Sequence, residues 1–142
     1  MPTINIYLNF DGNCEEAFNF YQSIFGGEFD SISRFSEMPP DPQYPVADAD
    51  KHKIMHVSLP ISQETVLMGS DTAGGFGPEL VAGNNFSISV YAGGKEEADG
   101  YFQQLSDGGA VAMPMADTFW GSYFGMCTDK FGIQWMVSCD VS

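Results

Sequence analysis

The sequence predicts an α+β fold built from two βαβββ-type modules that enclose a small-molecule cavity. Three observations lead there: the chain repeats itself after 81 residues, each repeated segment reads as a helix with marked ends, and alternating strands flank both helices.

The repeat aligns Gly12-Asn13-Cys14-Glu15-Glu16-Ala17 with Gly93-Gly94-Lys95-Glu96-Glu97-Ala98. Phe20-Tyr21-Gln22 then meets Tyr101-Phe102-Gln103, Ile24 meets Leu105 and Gly27 meets Gly108. Six of the 17 positions from 11 to 27 are identical, and three more exchange one aromatic or aliphatic residue for another. A period this long exceeds that of solenoid repeats and points to a duplicated half-domain.

Both segments should be helical, near 14–25 and 95–106. Asn13 can cap the first, with Glu16 completing a capping-box pattern, and Gly26-Gly27 can stop it. Ala17, Tyr21, Ile24 and Phe25 follow helical spacing. The second helix should bury Ala98, Tyr101, Phe102 and Leu105, although Gly100 weakens its interior by about 1 kcal/mol relative to Ala.

The flanking strands alternate. Ile4, Ile6, Leu8 and Phe10 oppose Asn5, Tyr7 and Asn9, while Met55, Val57 and Leu59 oppose His56 and Ser58. Thr65 to Ser70 reads as a further strand. Phe86, Ile88 and Val90 oppose Asn85, Ser87 and Ser89, and Ile133, Trp135 and Val137 oppose Gln134, Met136 and Ser138. The apolar faces should pack on the helices, with Ile6, Ile24, Val57, Ile88, Leu105 and Trp135 as core. The other faces are too polar for a dry core and regular enough to line a cavity.

The chain therefore reads as one domain, 1–142, with a first module at about 1–71, a connector at 72–84 and a second module at about 85–142. The connector contains Gly74-Gly75-Phe76-Gly77-Pro78, and the Pro- and Asp-rich stretch from Glu37 to Asp50 reads as an acidic, mobile loop.

Composition narrows the function. Five Lys+Arg against 19 Asp+Glu give a net charge of −14, which repels phosphate backbones and anionic lipid, so no nucleic-acid or membrane partner is expected. No apolar run is long enough to span a bilayer, and the start of the chain does not read as a signal peptide. A cytoplasmic location is the expectation. The three cysteines, Cys14, Cys127 and Cys139, lack C-x-x-C spacing and suit neither a disulfide framework nor a structural zinc site. Cys14 opens a helix, a position that can lower a thiol's pKa.

His56 is the histidine predicted on a cavity face, and hence the candidate general acid/base or ligand contact. His52 and His56 cannot share one ion, because four residues of strand span about 13 Å. Asp71, after Gly69-Ser70, is either a carboxylate at the cavity rim or a turn cap. Trp120 and Tyr123 can stack on a flat ligand or pack in a core or dimer seam. The glycines between Gly69 and Gly77 form neither a phosphate loop nor a dinucleotide fingerprint, and nothing resembles a methyltransferase cofactor site.

Several stretches carry a family resemblance: Tyr7-Leu8-Asn9-Phe10-Asp11-Gly12, Glu16-Ala17, Phe20-Tyr21, Phe25-Gly26-Gly27, Met55-His56, Met68-Gly69-Ser70-Asp71 and Trp120-Gly121. Most specific is Asp129-Lys130-Phe131-Gly132 followed by Trp135. Together they cover nearly the whole chain, which resembles the vicinal oxygen chelate superfamily of glyoxalases, extradiol dioxygenases and bleomycin-resistance proteins, and more narrowly its PhnB-like branch. The resemblance implies a curved mixed sheet around a funnel-shaped cavity, commonly in a homodimer. Metal-using members hold a divalent ion with His, Gln or Glu from four strands. The matching positions are roughly Asn5 (or Tyr7, on the same face), Met68, Asn85 and Met136. Two thioethers and two neutral amides do not suit a hard divalent ion, so no metal and no cofactor is expected. The expected function is binding of an unidentified small molecule, with Asn5, Tyr7, His56, Met68, Asn85, Ser87, Trp120, Gln134 and Met136 lining the cavity. The alternative is a lyase or isomerase using His56 as acid/base, with or without a metal.

Overall fold

Alternation along each strand decides which side chains meet a helix. The structure, a computed structural model, describes residues 2–43, 45–74 and 79–141. It divides into two units, Met1–Val81 and Ala82–Ser142. The first contains β1 (Ile6–Phe10), α1 (Cys14–Phe25), β2 (Ser31–Arg34), β3 (Ile54–Pro60) and β4 (Val66–Asp71). The second contains β5 (Ile88–Tyr91), α2 (Lys95–Ser106), β6 (Ala110–Asp117), β7 (Ser122–Thr128) and β8 (Gln134–Asp140). Each unit is thus a βαβββ module with an open four-stranded mixed sheet, ordered β1-β4-β3-β2 in one and β5-β8-β7-β6 in the other. The outer pairs β1/β4 and β5/β8 are parallel and the rest antiparallel. Gly75 to Pro78 of the expected connector lie outside the described residues.

In the first unit Leu8, Phe10, Val57, Leu59 and Leu67 are buried together with Cys14, Ala17, Phe18 and Tyr21 of α1. The buried stripe of α1 is therefore 14, 17, 18 and 21, at helical spacing. Ile24 and Phe25, expected inside, are only half-buried in the last turn, as is Ile6 at the start of β1. Ile4 precedes the strand and is 91% exposed. A bulge corrects the reading of β3: Ser33 faces His56 but Arg34 faces Ile54, leaving Met55 as an extra residue. Ile54 consequently takes the inward place expected of Met55.

Helix and sheet approach closely at Gly69. A Cβ there would lie 2.6 Å from Phe18 Cε1 and 2.9 Å from the Leu8 carbonyl oxygen. The second unit makes the same close approach at Gly125 on β7, where a Cβ would lie 3.0 Å from Phe102 Cε1 of α2. Ala98, Phe102 and Leu105 of α2 are buried together with Ile88, Trp135, Val137, Cys127 and Cys139, with Tyr101 half-buried.

Asp71 fixes the ends of the first unit. Its Oδ1 accepts the Cys14 backbone N–H at 2.9 Å and its Oδ2 the Ile54 N–H at 2.9 Å. Asn13, expected to cap α1, makes no side-chain cap bond, so the capping oxygen comes from β4 instead. In the second unit Asp129 Oδ1 accepts the N–H groups of Phe131 and Ile133, and its Oδ2 accepts the Trp135 indole N–H at 2.8 Å.

Gly69→Ala should cost about 1–3 kcal/mol, because Phe18 and the β1 backbone must both give way. Gly100→Ala, with no atom within 4 Å of the added carbon, should instead stabilise by about 1 kcal/mol or less. Urea midpoints of the two variants should move in opposite directions.

Candidate functional site

The side chains of the first sheet that alternate with the core point away from α1. They are Tyr7 and Asn9 on β1, Met68 and Ser70 on β4, His56 and Ser58 on β3, and Ser31 and Ser33 on β2. Tyr7 and Ser58 flank Met68 in register, and Ser33 lies beside His56. The Tyr7 and His56 rings stack across the intervening strand, with centroids 5.9 Å apart and planes 28° apart. Three predicted site residues, Tyr7, His56 and Met68, are thereby brought to one face. Asn5 lies just ahead of β1, and its amide oxygen accepts the Val66 N–H at 3.2 Å.

Asp71 does not belong to this face. It is 4% exposed, and both of its oxygens are engaged by backbone N–H groups. Both expectations for it are corrected: it is neither a rim carboxylate nor the cap of a local turn, but the link between three elements. Cys14 is corrected in the same way. Burial, then the Asp71 and Glu15 carboxylates, pushes its thiol well above the ordinary range, opposite to the lowering its helix-start position suggested.

On the second sheet, Met136 and Gln134 of β8 face away from α2, with Ser89 of β5 beside Met136. The Gln134 amide donates to the Phe86 carbonyl at 3.0 Å, which ties down the chain entering β5. Ser87 is half-buried just before β5, and Asn85 is exposed in the preceding segment. Trp120 lies in the β6–β7 connection, edge-on to Phe119 and Phe124. Tyr123 is turned toward α2. Its hydroxyl donates to Asp99 of α2 at 2.6 Å, and the Lys95 ammonium lies 4.9 Å from its ring centroid. The hydrogen bond to Asp99, followed by burial, pushes the phenol up to about 12.

Two surface clefts lie elsewhere. One of about 420 Å³ is lined by Phe35, Met38, Pro39, Pro42, Pro45 and Val46. The other, of about 410 Å³, is lined by Tyr91, Gly94, Lys95 and Asp140. Neither includes a residue predicted from the sequence to contact ligand.

A hard divalent ion does not suit the donors that either module offers at the positions the resemblance implies. Met68 and Met136 offer thioethers, and the Asn5 oxygen already accepts a backbone N–H. Among the described residues, no group of three or more His, Cys, Asp or Glu side chains could hold a metal ion.

With this geometry in view, residues 2–138 match the model of a family described as 3-demethylubiquinone-9 3-methyltransferase. The chain belongs to that family. Protein PA1353 from Pseudomonas aeruginosa is similar at 39% identity, with TM-score 0.84 over 99% of this chain and 98% of that one. A PhnB protein from Bacillus cereus is similar at 28% identity, with TM-score 0.75 over 97% and 99%. The fold alone extends to a glyoxylase/bleomycin resistance protein/dioxygenase domain from Frankia sp. EAN1pec, at 10% identity and TM-score 0.62 over 99% and 96%. The chain is thus PhnB-like, and its fold is shared with glyoxalase/bleomycin-resistance domains. No helix of this member, among its described residues, is long and apolar enough to cross a membrane.

All three thiols are free and buried, and that of Cys127 is pushed up to about 11 by burial and the nearby Asp129. Native protein at pH 8 should therefore react with a thiol reagent far more slowly than urea-unfolded protein, which should release three equivalents. One fast equivalent from the native state would show that a thiol is accessible after all.

Proposed function

We propose that this PhnB-like protein binds a small organic molecule and does so without a chelated divalent ion. The observation that carries the reading is the stacked Tyr7–His56 pair. Among the described residues, neither the Tyr7 hydroxyl nor the His56 ring nitrogens are used in a hydrogen bond of the fold. Tyr7 is 45% exposed, and Ser58, Ser70 and Asn9 share its face. A flat ring with polar ends left open, set among hydroxyls and an amide, offers both stacking and orientation to a ligand. Met68 and Asn5 on the first module, and Asn85, Ser87, Trp120, Gln134 and Met136 on the second, are the further contacts we assign. The net charge of −14 favours a neutral or cationic ligand over an anionic one.

In this reading the two modules act as one domain, and the chain works as a cytoplasmic homodimer. Three reduced, buried cysteines suit a reducing compartment. The β6 edge strand and the turn after it expose Val111 and Phe119, the latter at 98%, a surface that a second copy would cover.

A thermal-shift screen of small aromatic and quaternary-ammonium compounds should give ligands that raise the unfolding temperature. Tyr7→Ala and His56→Ala should each weaken such a ligand by about tenfold or more, the worth of roughly 1.4 kcal/mol, while leaving the unliganded protein folded. A ligand held equally well by both variants, or a broad library without hits, would remove the proposal.

Light scattering at micromolar concentration should report twice the 15.5 kDa of one chain. A monomer would rule out the dimer while leaving the ligand face untouched.

A further inference from the structure

We propose that the second sheet carries a soft-metal site, in which Met113, Met126 and Met136 hold one monovalent cation such as Cu(I) or Ag(I) through their thioether sulfurs. The three methionines form a row across three neighbouring strands. Met126 of β7 pairs with Met113 of β6 on one side and with Met136 of β8 on the other. Residues paired in register share a face, and here it is the face turned away from α2.

The row exists because β6 is irregular. Val111 faces Cys127, so an unbroken ladder would set Ala112 opposite Met126. A register shift between Val111 and Met113 places Met113 there instead. A second shift, between Met113 and Ala116, then puts Ala116 opposite Phe124 and returns Met115 to the helix side. There the Met115 sulfur lies 2.5 Å from the position a Cβ on Gly125 would take. Bulges re-aim side chains, and these two aim one methionine into the row and one out of it.

The chemistry follows from the donors. Neighbouring strands lie about 4.8 Å apart, and each unbranched side chain has three rotatable bonds with which to bring its sulfur to a common point. Met113 is 47% exposed, and Met126 and Met136 are half-buried, so none of the three side chains is sealed in the core. Neutral thioethers select soft monovalent ions over zinc or manganese. The competing soft donors of this unit, Cys127, Cys139 and Met115, lie on the opposite face of the sheet, the two cysteines buried there. A net charge of −14 raises the local concentration of any cation.

The test uses full-length protein carrying ¹³C-methyl methionine, titrated with silver nitrate in chloride-free buffer. Of the eight methionine methyl signals, three should shift and saturate at one equivalent of Ag(I). Met126→Leu and Met113→Leu should each weaken binding by about tenfold or more. Leu keeps the volume, and position 113 lies at an exposed edge, so both variants should keep the wild-type circular dichroism spectrum. Uptake should persist at pH 5, since a thioether takes no proton, and Zn(II) should shift none of the signals. The double variant Cys127→Ser/Cys139→Ser should bind as the wild type does. No methyl shift at stoichiometric Ag(I), a shift indifferent to both leucine variants, or binding lost with the two cysteines would each overturn the proposal.

Discussion

The buried carboxylate of Asp71 holds the first module together. It sits at the end of β4, in register with Phe10 at the end of β1, and it receives the first N–H of α1 and the first N–H of β3. A single side chain thus fixes where two strands end, where a third begins and where the helix starts. Removing an anion from water is costly, and two charge-assisted N–H bonds offset that cost. The helix contributes as well, because its positive end faces the anion. Gly69, two residues earlier, lets α1 lie close enough to the sheet for the bond to form. The second module uses different means to the same end. There Asp129 anchors the turn into β8 and the Trp135 indole, and the Gly93 N–H ahead of α2 is met by Glu97 of the helix itself.

Most of the architecture was legible because it rests on periodicity. Both helices span the predicted residues, and the alternation around Val57, Ile88 and Trp135 correctly identifies the inward face. What stayed hidden was non-local. Asn13 carries every local mark of a cap, yet the capping oxygen arrives from a residue 57 positions away. Strands β2, β6 and β7 went unread because β2 is short and exposed, β6 is interrupted twice, and β7 contains a glycine where a core side chain would announce itself. Bulges at Met55 and around Met113 are likewise invisible to a period-two count, which assumes an unbroken ladder.

The candidate site was legible in part. Tyr7, His56 and Met68 share a face because strand alternation and a one-strand offset suffice to place them. Trp120 and Tyr123 look alike in the sequence, but only pairing with Cys139 and the reach to Asp99 reveal that Tyr123 turns toward α2. In the sequence Asp71 reads as a rim carboxylate or a turn cap because its partners, Cys14 and Ile54, are remote in the chain. The methionine row was missed for the same reason: no spacing in the sequence marks residues 113, 126 and 136 as neighbours.

The parallel pairing of each module's first strand with its last has a consequence for how the chain reaches this state. Hairpins β3–β4 and β7–β8 join neighbours in sequence and can close early, whereas β1 and β5 have partners only once β4 and β8 exist. Loop-closure entropy must be met before those non-local contacts repay it. On a ribosome, therefore, β1 and α1 emerge and wait with an unpaired edge and an uncapped helix start until residue 71 has been added. The same carboxylate that organises the finished module is among the last parts of it to be made.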